Sequence, residues 1–182
     1  MLNGKETAVV WFNGPSARQF LDIPRQPLEI GCNFIEQHRP VDHVCAYDRP
    51  VIDRLTKRGL NDQVRYWTRR HYSTEQFKIV PIDDFGFRHG AGFDSGTLAL
   101  SLALTLGCAE INLLGFDWHI TNDSMYDPKY TWRNGQRPIK FTLAKKNFIE
   151  DLAQEMRINI IHDKVRERYR NVNWIAPRDF MS

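Results

Sequence analysis

Short unbroken apolar runs alternate along this chain with stretches whose apolar residues recur at helical spacing. The runs are "TAVVWF" (7–12), "LEIGCN" (28–33), "DHVCAYD" (42–48), "QVRYWT" (63–68), "FKIVPI" (77–82), "AEINLLGFD" (109–117) and "RINIIHD" (157–163). "AVVWF" and "INLLG" lack polar alternation, the pattern of strands buried on both faces. Pro81 weakens "FKIVPI" as a strand. Between the runs, "SARQFLDI" (16–23) reads as a short helix, and "RPVIDRLTKRGL" (49–60) as a longer one with Pro50 in its first turn and Gly59 at its exit. "SGTLALSLALTLG" (95–107) is apolar nearly all round, which predicts a buried crossover helix with Gly96 and Gly107 at its ends. "KFTLAKKNFIEDLAQEM" (140–156) sets Ala144, Phe148, Leu152 and Met156 on one helical face.

Such alternation predicts one α/β domain over residues 1–182, Rossmann-like, with a mostly parallel sheet covered by helices on both faces. Val9–Phe12, Cys45–Tyr47, Ile111–Leu114 and Ile158–Ile161 are expected to be neighbouring parallel strands. The basic tail 164–182 has no clear class; a solvated helix and a packing segment anchored by Trp174 and Ile175 is one reading.

The polar residues then fall in a regular place. Strand candidates end at Asn13-Gly14, Asn33, Asp48, Asp83-Asp84, Asp117 and His162-Asp163. In a parallel sheet those ends share one edge, where open α/β sheets bind ligands. "NGPS" after the first strand supplies Gly14 for close approach and Ser16 as a helix cap or phosphate donor. Ser95-Gly96 opens the buried helix, whose unpaired N–H groups and dipole suit a phosphate. Gly14, Asn33, Asp48, Ser95 and Asp117 are therefore expected to line one pocket. His119, His162 and Asp117 are acid–base candidates at the same edge, with His89 a fourth. The long segment "HITNDSMYDPKYTWRNGQRP" offers Tyr126, Tyr130, Trp132 and Arg133 as residues that could close over a substrate.

Composition narrows the chemistry. With 182 residues, 42% hydrophobic and 26% charged, the chain can bury one substantial core. A formal net charge of +3 suits an anionic ligand but is weak support for nucleic-acid binding. Arg65, Arg69, Arg70 and His71 surround Tyr66 and Trp67, yet a strand with one charged face produces the same string. Cys32, Cys45 and Cys108 are widely spaced and sit in or beside apolar segments, as reduced thiols of a cytoplasmic protein would. The first residues lack a signal-peptide layout, and the longest apolar segment is about half a bilayer span. No HxxxH or Cys/His cluster occurs, and Asp83-Asp84 on an extended segment would point to opposite faces, so no metal is expected. The composition leaves an oligomer open.

"NGPS" after the first strand, "CN" closing the second and "SGTLALSLALTLGCAEINLLGFD" together resemble the bacterial sialyltransferases of glycosyltransferase family 42. More widely they resemble the Rossmann-like superfamily that includes a 6-hydroxymethylpterin diphosphokinase. The resemblance runs from about Val9 to His162 and is most specific over Ser95–Asp117. It implies a nucleotide-binding domain that holds a CMP-sugar donor without metal or other cofactor and transfers the sugar to an acceptor this sequence does not identify. By position, Asn13, Gly14 and Ser16 match the first donor-binding loop, Asn33 a donor-contacting asparagine, and Ser95-Gly96 the pair beside the nucleotide. Asp48 stands where that family has an asparagine, His119 replaces the first of two tyrosines that assist the departing phosphate, and Tyr126 lies one residue from the second. Its arginine before the Ser-Gly pair falls on Gly92, and its catalytic histidine falls near Lys140. Sugar transfer would then draw its base from His119 or His162, with Tyr126 or Arg133 stabilising the leaving phosphate. The alternatives are diphosphoryl transfer, with magnesium held by Asp48, Asp83 and Asp117, and a non-catalytic nucleotide-binding or structural relative that keeps the fold.

Overall fold

A computed structural model of the chain describes residues 6–81, 94–117, 125, 139–165 and 168–182. Eight strands form one sheet: β1 (Thr7–Trp11), β2 (Leu28–Cys32), β3 (His43–Cys45), β4 (Arg65–Thr68), β5 (Phe77–Ile79), β6 (Glu110–Leu114), β7 (Arg157–Ile161) and β8 (Val172–Ile175). Their order is β5-β4-β3-β2-β1-β6-β7-β8, and every described pairing is parallel. The chain winds outward from β1 to β5, then returns to the other side of β1. The strand order thus reverses between β1 and β6, where such sheets open a crevice at their carboxyl ends.

Side-chain alternation splits the core into two layers. Ala8, Val10, Ile30, Ile111, Leu113, Ile158 and Ile160 face helices α2 (Ser95–Thr105) and α3 (Ile139–Glu155). Val9, Trp11, Val44, Leu114 and Ile161 face the other way, against a 3-10 helix at Pro15–Phe20, helix α1 (Arg49–Arg58) and the final turn α4 (Pro177–Met181). Helix α2 is buried at every position from Ser95 to Ala103, as its all-round apolar sequence predicts. Phe148 and Leu152 of α3, and Met156 just past its end, reach the core while Ala144 stays half-buried.

Three expectations need correction. β3 does not adjoin β1, because β2 lies between them; β1, β6 and β7 are the true neighbours. The segment after Pro15 is a six-residue 3-10 helix rather than an α-helix. The tail contributes an edge strand, with Ile158, Asn159, Ile160 and Ile161 registered against Val172, Asn173, Trp174 and Ile175. A β-branched and aromatic "VNWI" is good strand material, but its four residues are too few for periodicity to declare it. Pro81 falls just past β5, where it removes no ladder hydrogen bond. Among the described residues no helix is long and apolar enough to cross a membrane, and all three cysteines are buried thiols outside any disulfide.

His43 gives the fold a pH dependence. Its Nδ1 accepts the Trp67 indole N–H at 3.0 Å, which requires a neutral ring. Burial, then the charge of Arg65, lowers its pKa from 6.5 to about 4, with Asp42 opposing and Lys78 reinforcing. An unfolded chain takes up this proton below its own pKa while the folded one refuses it. Stability is therefore expected to fall as pH drops from 6.5 towards 4, by up to about 3 kcal/mol. Urea midpoints across that window test this; His43→Asn, which keeps an acceptor for Trp67, should flatten that part of the profile.

Candidate active site

The carboxyl edge of the sheet carries two side-chain clusters joined by one aromatic contact. The first straddles the reversal between β1 and β6. Phe12 N–H donates to the Leu114 carbonyl at 2.8 Å and Gly14 N–H to the Gly115 carbonyl at 3.0 Å, which draws the "NGPS" turn onto the end of β6. Gly14 has φ −70°, so its value is not a left-handed turn. It is space: a Cβ there would sit 2.0 Å from Asp117 Oδ2 and 2.4 Å from the Gly115 carbonyl. The glycine lets a carboxylate close in, not a ligand.

Ser16 is not the expected cap. Gly14 occupies that position, and the Asp117 carboxylate caps the turn from across the sheet. Its Oδ2 accepts the Ser16 N–H at 2.9 Å and the Ser16 hydroxyl at 2.7 Å, while Oδ1 lies 2.9 Å from His162 Nε2. The other ring nitrogen of His162 accepts the Lys164 N–H at 2.9 Å, so Nε2 carries the proton and donates to Asp117. Burial pushes the Asp117 carboxyl up, but the hydrogen bonds from His162 and Ser16 outweigh it and hold it below the usual range. Donors that "NGPS" was expected to offer a phosphate are thus taken by Asp117. Both His162 nitrogens are engaged, and the ring is buried. Ser16 bonds to the acid rather than the imidazole, so the trio positions a loop and builds no serine nucleophile. In the same turn, the Asn13 carbonyl accepts the Met125 N–H at 2.7 Å, and the Asn13 side-chain Oδ1 is buried without a partner.

The second cluster gathers at the ends of β2 and β3 around the start of α2. Asn33 adopts φ +56°, a left-handed conformation that asparagine tolerates better than most residues. This turns its amide towards α2, where Ser95 Oγ donates to Asn33 Oδ1 at 2.6 Å and accepts the Tyr47 N–H at 3.0 Å. With Oδ1 taken, the amide NH2 is the part of Asn33 that no described residue uses. Asp94 caps α2 through Thr97 in a reciprocal capping box and pairs with buried Lys145. The N–H groups of Ser95 and Gly96 precede the first intrahelical bonds, and among the described residues no acceptor is shown for them. Asp48 begins α1 without a side-chain capping bond and is exposed. Partial burial, then the charge of Asp94, raises its pKa, with Arg69 opposing.

Phe12 connects the clusters. A Cβ on Gly96 would lie 2.2 Å from the Phe12 ring, which packs edge-on against Phe116 with 5.2 Å between centroids. Only glycine lets the helix start sit this close to the end of β1, beside Asn13.

Of the residues expected to share a pocket, Asn33, Asp48, Ser95 and Gly96 gather at the second cluster, and Gly14, Ser16 and Asp117 at the first, with Asn13 next to the bridging phenylalanine. His119, Tyr126, His89, Asp83, Tyr130, Trp132 and Arg133 lie outside the described residues. Among the described residues no group of three or more His, Cys, Asp or Glu side chains could hold a metal. Asp117 is committed to Ser16 and His162, while Asp83, the third carboxylate of the diphosphoryl-transfer reading, lies outside the described residues. Tyr66 is buried, which removes it from a nucleic-acid stacking surface, and Trp67 is half-buried, packed against the core and bonded to His43. Sequence reasoning placed Arg69 only in a basic string; the structure sets it just beyond β4 against the rings of both Tyr47 and Tyr72. Its signal was position: it follows the strand, whereas Arg65 begins it.

No protein-family model matches the chain, and no curated protein matches it by sequence. Solved structures do match. A crystal structure of the sialyltransferase CstII in complex with a trisaccharide acceptor and CMP aligns with a TM-score of 0.60 at 15% identity, covering 97% of this chain and 88% of that one. A CstII variant in complex with CMP gives 0.59 at 14% identity over the same shares. CstII from Campylobacter jejuni with cytidine-5'-monophosphate gives 0.51 at 13% identity, covering 92% of each chain. At such identities the likeness shows a shared fold.

Proposed function

We propose that this chain is a glycosyltransferase-type domain that binds a CMP-sugar along the carboxyl edge of its sheet, without a metal. The observation carrying this reading is the Asn33–Ser95–Tyr47 junction, which consumes the Ser95 hydroxyl but leaves the Asn33 amide NH2, beside the start of α2, without an acceptor among the described residues. That donor suits a phosphate at the positive end of α2. The orphaned Asn13 oxygen, buried in the turn after β1, suits an amine donor such as that of cytosine. The fold shared with CMP-bound sialyltransferase structures supports this choice among nucleotides.

In the proposed reaction an acceptor hydroxyl attacks the anomeric carbon, the bond to the phosphate breaks, and CMP leaves with the electron pair. His119 is assigned the acceptor proton and Tyr126 the leaving phosphate, with the sequence resemblance as support. His162 belongs to the same site as the group that holds Asp117 and the first loop in place, since both its nitrogens are occupied.

Calorimetry with CMP in magnesium-free buffer tests binding. Asn33→Ala is expected to weaken it by about 0.5–1.5 kcal/mol, the value of one neutral hydrogen bond. Asp48→Asn should tighten it at neutral pH by removing a like charge. That advantage should shrink as pH falls through the raised Asp48 pKa, because wild type then loses the charge itself. The absence of both heat and thermal stabilisation at millimolar CMP would sink the reading, and binding without sugar transfer or donor hydrolysis would reduce it to a nucleotide-binding domain.

A further inference from the structure

We infer that Arg69 is the residue through which this site grips the oxyanion of its substrate, a phosphate or a carboxylate, and that two tyrosine rings hold it ready to do so. This rests on reading the carboxyl edge as a ligand site and adds the group that recognises charge. The guanidinium carbon lies 4.3 Å from the ring centroid of Tyr47 and 4.3 Å from that of Tyr72. Rings so placed attract the cation and fix its plane, leaving its in-plane N–H groups to make hydrogen bonds. Of those, Nη1 donates to the Tyr47 hydroxyl at 3.1 Å. Nε is shielded from water and has no acceptor.

A comparison within the same molecule shows why this matters. Arg39 also lies over an aromatic ring, 4.5 Å from the centroid of Trp11. Its donors are consumed: Nε and Nη2 bind the two Glu29 oxygens, and Nη1 binds the carbonyls of Phe20, Leu21 and Ile23. That is an arginine built to hold a fold. Arg69 is oriented just as firmly, yet makes no ion pair among the described residues. A charged donor kept from water without an acceptor is uncommon and calls for a partner. An oxyanion along the Nε–Nη2 edge would supply two acceptor atoms at the spacing of that fork.

The position fits. Tyr47 N–H is bonded to Ser95 Oγ at the mouth of α2, so one residue carries both the stacked ring and the junction with the helix start. The ionisable groups around it are Asp48, whose carboxyl responds to both Arg69 and Asp94, Asp94 with its Lys145 partner, and Arg49, which lies over the far tyrosine at 5.9 Å and pairs with Asp53. Asp48 and Asp94 oppose an incoming anion, so selectivity here depends on the directed fork of Arg69 more than on net charge.

The Nε–H signal of Arg69, assigned by its absence in Arg69→Lys, can be followed by NMR during titration with inorganic phosphate, CMP and N-acetylneuraminic acid. Saturable movement is expected with at least one of them. Arg69→Met should weaken that ligand about 10- to 100-fold, the scale of a charge-assisted pair, and change cytidine binding less than about twofold. Loss confined to CMP and phosphate would identify the oxyanion as the phosphate; loss confined to the sugar acid would identify a carboxylate. Movement with phosphate, but CMP no tighter than phosphate, would uphold the oxyanion grip and overturn the nucleotide reading. A signal unmoved by all three at millimolar concentration would overturn the inference, and CMP binding alongside it would leave the nucleotide reading standing.

Discussion

Glu29→Ala is expected to destabilise the protein by about 3–5 kcal/mol, the cost of stranding one partner of a buried ion pair. Glu29 is fully buried inside β2 and accepts four hydrogen bonds, from the Trp11 indole, the Gln26 N–H and two Arg39 nitrogens. Arg39 in turn holds three carbonyls of the chain leaving the Pro15–Phe20 helix. Removing the carboxylate therefore leaves a guanidinium in the core and loosens the connection between β1 and β2. The pair itself need not contribute much net stability, because both charges were desolvated to make it. The combined Glu29→Met and Arg39→Leu variant should accordingly be less destabilised than Glu29→Ala alone. Equilibrium urea unfolding of the wild type, the two single replacements and this double one measures the coupling. A double variant that loses the full sum would show that the two side chains act independently, contrary to their geometry.

Asp117→Ala should have the second-largest effect, about 1–3 kcal/mol for each buried donor left without an acceptor, because it strands the His162 Nε2–H and both Ser16 donors. It should also damage ligand binding beyond its own position, since the Asp117 clamp seats the loop that carries Asn13. Asp117→Asn separates the two roles: it keeps the shape and one acceptor, so folding should suffer less. The pH dependence has a definite sign. Asp117 has a folded pKa below its unfolded one, so its contribution is fully present above the unfolded value and is lost as pH falls through the lowered folded value. Urea midpoints of wild type should therefore show an acid limb below the ordinary aspartate range, and Asp117→Asn should lack it. An unchanged acid limb in that variant would remove Asp117 as its source.

Much of the architecture was legible in the chain. Unbroken apolar runs located seven of the strands, and helical periodicity located α1, α2 and α3, because both patterns depend on neighbours a few residues apart. The rule that ligands collect at strand ends directed attention to the carboxyl edge, where the described polar residues do gather in two clusters. What the pattern could not show was who would meet whom there. Ser16 and Asp117 are 101 residues apart, and Ser95 and Asn33 are 62 apart. Read alone, Ser16 looks like a helix cap and Asp117 like a free acid; once strands β1 and β6 lie side by side, each satisfies the other and neither is left for a phosphate. Gly14 was recognised as a close-approach residue, but only tertiary packing decided that the approaching group is a carboxylate. Arg69 shows the reverse. In sequence it is one more cation in a basic string, and its identity as an oriented, under-satisfied donor appears only when the chain after β3 and the turn after β4 bring Tyr47 and Tyr72 against it. Periodicity is local, so the sequence by itself determined the elements and their faces. Hydrogen-bond satisfaction is pairwise and long-range, so the tertiary structure decided which polar residues at the edge are consumed and which remain for a ligand.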